Sequence, residues 1–203
     1  RAPKPPFITS TLQQEASGRL GFSAKKTMAL AQALYEGVEL GEEGPVGLIT
    51  YMRTDSVRLS DEARAEAGQV IGERFGAAYQ MAGGRQFRRA QKAQDAHEAV
   101  RPTSFARSPD QVEALLPRDH FRLYELIWRR AVASQMPDAL YDQTAATLEG
   151  DGLQFRANGS HLRFDGCLRA LPDAAGDGET TLPPLAAGQG AEMGELAPKQ
   201  HFT

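Results

Sequence analysis

The chain is 203 residues long, enough to bury a core as one large domain or two small ones, and its 41% hydrophobic and 24% charged residues are ordinary for a soluble globular protein. A formal net charge of −3 excludes a protein that coats nucleic acid by bulk electrostatics, so any nucleic-acid contact has to be a local patch. The single cysteine, Cys167, excludes an internal disulfide and a cysteine-based zinc cluster, and no apolar run approaches the roughly 20 residues that span a bilayer.

Helices come first along the chain. Ser10 with Gln13 forms a capping-box pattern that predicts a helix running to Leu20, with Gly21 as a left-handed terminator. Ser23 caps a second helix whose apolar stripe is Met28, Leu30, Ala31, Leu34 and Tyr35, ended by Gly37. Two helices joined by a short glycine-containing turn make a helix-turn-helix pattern, a weak signal for DNA binding since such hairpins are mostly core. Residues 37–47 read as a Gly/Glu-rich loop, followed by a strand that ends at Tyr51. A third helix opens at Ser60 with Asp61 and Glu62 in its first turn, buries Ala63, Ala67, Val70, Ile71 and Phe75, and stops at Gly76. From Gln80 to Ala96 the chain is polar and basic without a period. Within it and just beyond, Arg85, Arg88, Arg89, Lys92 and Arg101 face only Asp95 and Glu98, either a basic patch or a solvated loop.

Ser108, Pro109 and Gln111 start a short helix, and a longer one spans about Asp119 to Gln135 with Phe121, Tyr124, Ile127, Trp128, Ala131 and Val132 at helical spacing. Trp128 therefore reads as core, not as a base-stacking platform. Pro137 marks a boundary, and beyond it the pattern is antiparallel β. Tyr141–Glu149 turns at Gly150-Asp151-Gly152, Leu153–Ala157 returns, and Asn158-Gly159 signals a second hairpin into His161–Leu171. Residues 172–190 read as a Gly/Pro/Ala/Asp-rich loop, with strands expected over 191–196 and near Gln200. The expected class is α+β: a helical domain over 1–137 and a β-rich segment over 138–203. Cys167 reads as a small buried hydrophobe.

The segment with the most chemistry is Leu48-Ile49-Thr50-Tyr51-Met52-Arg53-Thr54-Asp55-Ser56. A tyrosine hydroxyl is a weak nucleophile, so attack on a phosphodiester needs a nearby positive charge. Arg53, two residues on, shares the face of Tyr51 on an extended chain, and a guanidinium pairs two phosphate oxygens without risk of deprotonation. Thr54 and Ser56 either donate to phosphate or cap backbone groups, and Asp55 either orients Arg53 or caps a turn.

Two blocks flank it, Pro6-Phe7-Ile8-Thr9-Ser10-Thr11-Leu12-Gln13-Gln14-Glu15-Ala16 and Ala96-His97-Glu98-Ala99-Val100-Arg101-Pro102-Thr103. In this order and spacing the three blocks resemble bacterial type IA DNA topoisomerases, and the resemblance continues through Leu123–Arg129 to Gln200–Thr203. It implies a tyrosine domain over residues 1–137, with helix-turn-helix-like elements, and part of the connecting arch over 138–203. It further implies relaxation of negatively supercoiled DNA through a 5′-phosphotyrosyl intermediate, without ATP. Tyr51 matches the nucleophile, Arg53 the cation at the scissile phosphate, and His97 a histidine near it that donates a hydrogen bond or shuttles a proton. Arg101 contacts DNA or braces its loop, Glu98 reads as structural, and Gln14, Arg19, Lys25 and Lys26 are candidates for the single-stranded DNA backbone. The family's magnesium is held by an acidic domain that has no counterpart here, since the chain lacks an Asp-x-Asp-x-Asp run. The expected partners are DNA and that acidic domain of the same protein, and the expected compartment is the cytoplasm, since no signal-peptide pattern precedes the first element. With Arg1 in place of an initiator methionine, the sequence reads as an excised fragment, expected to be inactive alone.

Overall fold

In a computed structural model of the protein, residues 1–87, 97–150, 152–171 and 180–192 are described. The chain divides into two compact units, one of Arg1–Leu140 with Phe164–Ala175 and the other of Tyr141–Arg163 with Gly176–Thr203.

The first unit is helical. Helix α1 covers Thr9–Glu15 and continues as a π-helical turn over Ala16–Leu20, closed by Gly21 at φ 71°. Its start lies two residues earlier than the capping-box pattern suggests, with Ile8 in the cap position expected for Ser10. Ser10 is inside the helix, and the reciprocal bond comes from the Ile8 N–H to Thr11 Oγ1 at 3.1 Å. Helix α2, Ala24–Glu36, begins as expected, with Ser23 Oγ accepting from the Lys26 N–H at 3.2 Å. The stretch expected to be plain loop contains a two-residue antiparallel pair, β1 (Val38–Glu39) with β2 (Pro45–Val46). Helix α3, Asp61–Phe75, has Ser60 Oγ accepting from the Ala63 N–H and carboxylates in its first turn. Its Ala63, Ala67, Val70 and Ile71 are buried, whereas Phe75 is half-buried and faces the ring of Tyr79.

Helix α4 (Pro109–Val112) leads into α5 (Arg118–Ser134), the axis of the core. From Leu126 to Ser134 every residue of α5 except Arg129 is buried, so the helix is covered nearly all round. It packs against α2, α4, the π turn and a 3₁₀ helix at Gly166–Ala170. Trp128 is core, 2% exposed, and its indole N–H donates to the Phe105 carbonyl at 2.9 Å. Cys167 is likewise buried, and burial pushes its thiol pKa up.

One buried charge cluster ties α1 to α5. Arg130 is 7% exposed, lies 4.5 Å over the Phe7 ring and pairs with Glu15, which also receives Lys4 at 3.0 Å. Burial alone would raise the Glu15 pKa, but Lys4 and Arg130 together bring it below the ordinary glutamate value.

The expected strand ending at Tyr51 is reduced to a single antiparallel bridge, Ile49 opposite Pro102, with Phe7 opposite Val100 beside it. The pairing is completed by the Thr50 N–H to the Arg101 carbonyl and the Thr103 N–H to the Leu48 carbonyl, both 2.9 Å.

The second unit holds an antiparallel pair, β3 (Leu140–Gly150) and β4 (Leu153–Phe164). The hairpin expected between these two strands is the one formed, with Gly152 at φ 79° leading into β4. Asn158-Gly159, read as a second hairpin turn, instead lies inside β4, where Ser160 bridges Thr180 in a neighbouring segment. A Cβ on residue 159 would sit 2.9 Å from Leu182 and 3.1 Å from the Thr180 carbonyl oxygen, so the glycine serves close backbone approach and not a turn. The strand expected over 161–171 ends at Phe164. Ala191 and Glu192 are not in a strand, and the remainder of the expected strands lies outside the described residues.

Trp128→Phe, which strands the Phe105 carbonyl in the core, is expected to lower stability by about 2 kcal/mol without changing the fold, measured by urea unfolding. A folded-state pKa below the unfolded one makes the Glu15 contribution fully present above the ordinary glutamate pKa. That contribution is lost as pH falls through the lower folded value. Glu15→Gln is therefore expected to flatten the acid side of the stability profile, read by thermal melts across acidic pH.

Candidate active site around Tyr51

The segment after Ile49 bends at Met52 and Arg53, otherwise runs without helix or strand, and alternates in burial. Met52, Thr54 and Ser56 point inward, while Arg53 and Asp55 are exposed and Tyr51 is half-exposed on the opposite face. This alternation, the two-residue period of an extended chain, presents Tyr51, Arg53 and Asp55 together. Met52, fully buried, anchors the segment from below.

The chain reaches this position by passing hard against the end of α2. The Leu48 N–H donates to the Leu34 carbonyl at 2.7 Å, and a Cβ on residue 47 would stand 2.8 Å from the Tyr35 carbonyl oxygen, so Gly47 is what lets the two backbones approach. The approach brings Tyr51 beside Tyr35, with ring centroids 5.4 Å apart and planes at 64°. On its other side the Tyr51 ring meets the exposed His97, with centroids 5.5 Å apart. Among the described residues no partner is bonded to the Tyr51 hydroxyl.

Hydroxyl side chains fix this backbone. Thr50 Oγ1 donates to the Ala99 carbonyl at 2.7 Å and accepts from the Arg101 N–H at 3.0 Å, locking the tyrosine segment to the histidine segment. Thr54 Oγ1 accepts from the Ser56 N–H at 3.0 Å, and Ser56 Oγ from the Arg58 N–H at 3.2 Å. Of the two readings of Thr54 and Ser56, backbone capping is thus the one seen. Thr9, at the start of α1, accepts from the Thr54 N–H at 2.9 Å and donates toward the Met52 carbonyl at 2.8 Å.

Arg53, Thr54, Asp55 and His97 line one open cavity of about 430 Å³ with Ile8, Thr9 and Ser10. It is wide enough for a phosphodiester. Arg53 forms no ion pair among the described residues, so Asp55, although it shares the cavity, does not hold it. Arg101 is turned away from this cavity. Its Nε donates to Glu98 at 2.5 Å and one terminal nitrogen to the Pro102 carbonyl at 2.8 Å, while Glu98 also accepts from the Ser60 N–H, so the pair braces the loop.

The outer cations are partly committed elsewhere. Lys26 pairs with Asp119 at 2.6 Å and sits over the Phe22 ring, and Arg19 lies 4.0 Å from Glu15. Gln14 and Lys25 are exposed on α1 and α2. In the suspected basic run, Arg85 is taken by Asp138 and the Met136 carbonyl, and Arg88, Arg89, Lys92 and Asp95 lie outside the described residues. Among the described residues no group of three His, Cys, Asp or Glu side chains is placed to share a metal ion, and no helix is long and apolar enough to cross a membrane.

Residue-by-residue reading missed Thr9 and Thr50. Both lie within blocks that carry the resemblance, but a threonine beside a tyrosine or at a helix start has no chemistry of its own to mark it. The signal that locates them is the run of hydroxyls in step with an extended chain.

A family model described as DNA topoisomerase matches residues 1–203. The structure is similar to that of full-length topoisomerase I from Thermotoga maritima, at 42% identity and a TM-score of 0.79, over 93% of this chain and 30% of that one. This chain thus spans about a third of the length of that relative. On the family match over its whole length and the agreement in fold, the chain belongs to the bacterial type IA DNA topoisomerases.

Proposed function

We propose that this chain is the tyrosine-bearing part of an enzyme that relaxes negatively supercoiled DNA by cutting and resealing one strand, without ATP. The observation that carries the reading is the outward display of Tyr51 and Arg53 on one face, with the His97 ring against the tyrosine and an open cavity beside them. In the reaction the Tyr51 oxygen attacks the phosphorus and the bond to the 3′ oxygen breaks. The phosphoryl group stays on Tyr51 as a 5′-phosphotyrosine, and the 3′ oxygen takes up a proton to leave as a hydroxyl. Religation is the reverse attack by that hydroxyl, so no external energy is consumed, and strand passage occurs between the two steps.

Arg53, exposed and without an ion pair among the described residues, supplies two donors to the phosphate as charge builds on its oxygens. His97, whose ring lies against that of Tyr51, would take the tyrosine proton or donate to the same phosphate. Asp55 is a supporting carboxylate at the rim. Magnesium, which the family implies, would be held with the acid for the leaving oxygen by the acidic domain outside this chain, and the described residues provide no site for it. Gln14, Arg19, Lys25 and Lys26 would meet the strand's backbone, with Lys26 first giving up Asp119.

Mixed with a separately expressed acidic-domain fragment, magnesium and a 3′-labelled single-stranded oligonucleotide, this chain is expected to form a denaturant-resistant protein–DNA adduct. The chain alone is expected to form none, and Tyr51→Phe to abolish it in the mixture. An adduct that persists with Tyr51→Phe, in the mixture or in the full-length enzyme, would remove Tyr51 from the chemistry. In the full-length enzyme His97→Ala is expected to slow cleavage about 100-fold with little change in DNA affinity, measured by quench-flow and by anisotropy. Unchanged cleavage would leave the histidine as a packing partner of the tyrosine ring.

A further inference from the structure

Arg53 can serve a phosphate only if its backbone is fixed, and within the segment nothing of the usual kind fixes it. Among the described residues no strand runs alongside 52–58, and the guanidinium has no ion pair. What holds the two peptide units flanking Arg53 is one residue from another element. Thr9 donates its N–H to the Thr54 carbonyl at 2.9 Å and accepts the Thr54 N–H on Oγ1 at 2.9 Å. Its hydroxyl hydrogen is shared between the Met52 carbonyl at 2.8 Å and the Thr54 carbonyl at 3.0 Å. The Met52 carbonyl belongs to the peptide before Arg53 and the Thr54 N–H to the peptide after it. Thr9 thus spans Arg53 from behind and sets the direction in which its side chain leaves the backbone.

We propose that Thr9 is a positioning residue for strand cleavage and religation, acting through Arg53. This rests on the reading of Tyr51 and Arg53 given above. Thr9 also lines the cavity, but its hydroxyl is engaged by the backbone of 52–54 and not by the space the phosphate would fill. A second anchor acts on Thr9 itself: α1, which begins at Thr9, is held to α5 through Glu15 and Arg130, so the clamp is mounted on the core and not on a loop. A positioning error of an ångström at a reacting group is enough to cost orders of magnitude in rate.

The test uses the full-length enzyme with an oligonucleotide substrate and reads single-turnover cleavage, DNA affinity and melting temperature. Thr9→Val keeps the shape and removes the hydroxyl, and is expected to slow cleavage about 10- to 100-fold with affinity unchanged within about twofold. Thr9→Ser, which keeps the hydroxyl, is expected to stay within about threefold of the parent. Thr9→Ala, with less to pack, serves as the second hydroxyl-free variant if Thr9→Val does not fold. The decisive readout is the double variant with Arg53→Ala: once the guanidinium is gone, loss of the Thr9 hydroxyl is expected to cost little further rate. A Thr9 effect that persists in full without Arg53, or hydroxyl-free variants that cleave at the parent rate, overturns the proposal. If Arg53→Ala itself cleaves normally, the reading of the site fails and the role of Thr9 fails with it. If Arg53→Ala is crippled and the hydroxyl-free variants are not, the role of Thr9 fails alone.

Discussion

An extended chain that has lost its neighbouring strand must still place every second N–H, and here side-chain oxygens take them. Thr9 receives the N–H of Thr54, Thr54 that of Ser56, and Ser56 that of Arg58. Burying those donors without partners would cost on the order of 1–3 kcal/mol each, enough to unseat the segment. The same three hydroxyls are why inward positions alternate with Arg53 and Asp55 facing out. Remove the substitution of hydroxyls for a strand and neither the exposed face nor the cavity has a fixed geometry.

Around that segment the rest of the first unit is support. Gly47 brings the chain within reach of Tyr35, Thr50 binds it to the histidine segment, and Glu98 with Arg101 ties that segment to the start of α3. Among the described arginines, Arg85, Arg101 and Arg130 are spent on carboxylates and carbonyls inside the unit. Arg53 has no such partner. With a net charge of −3, a free cation at the cavity matters more than it would on a basic surface.

Much of this was legible in the sequence. Ser23 and Ser60 announce their helices because a cap is a local bond between a side chain and an N–H three residues on, and both are made. The helical spacing around Trp128 locates the core because burial follows that period. The failures share a cause, which is that the deciding partner is distant in sequence. Asn158-Gly159 reads as a turn until Thr180 arrives beside it, and the strand before Tyr51 reads as regular although only Ile49 meets a bridge partner, about 50 residues on. At the site, Tyr51, Arg53 and His97 are legible from residue type and block. The work of Thr9 and Thr50 is not, since it depends on carbonyls about 43 and 49 residues away.

The row of hydroxyls has one more consequence, for how the molecule behaves in company. An exposed extended segment with free N–H groups is a template on which another chain can add a strand, and a catalytic face cannot be blunted by a bulky cover without closing the site. At residues 54, 56 and 58 the donors that an intruding strand would need along that edge are already bonded. That edge of the segment is therefore unattractive to other polypeptides, while the face that carries Tyr51 and Arg53 stays open.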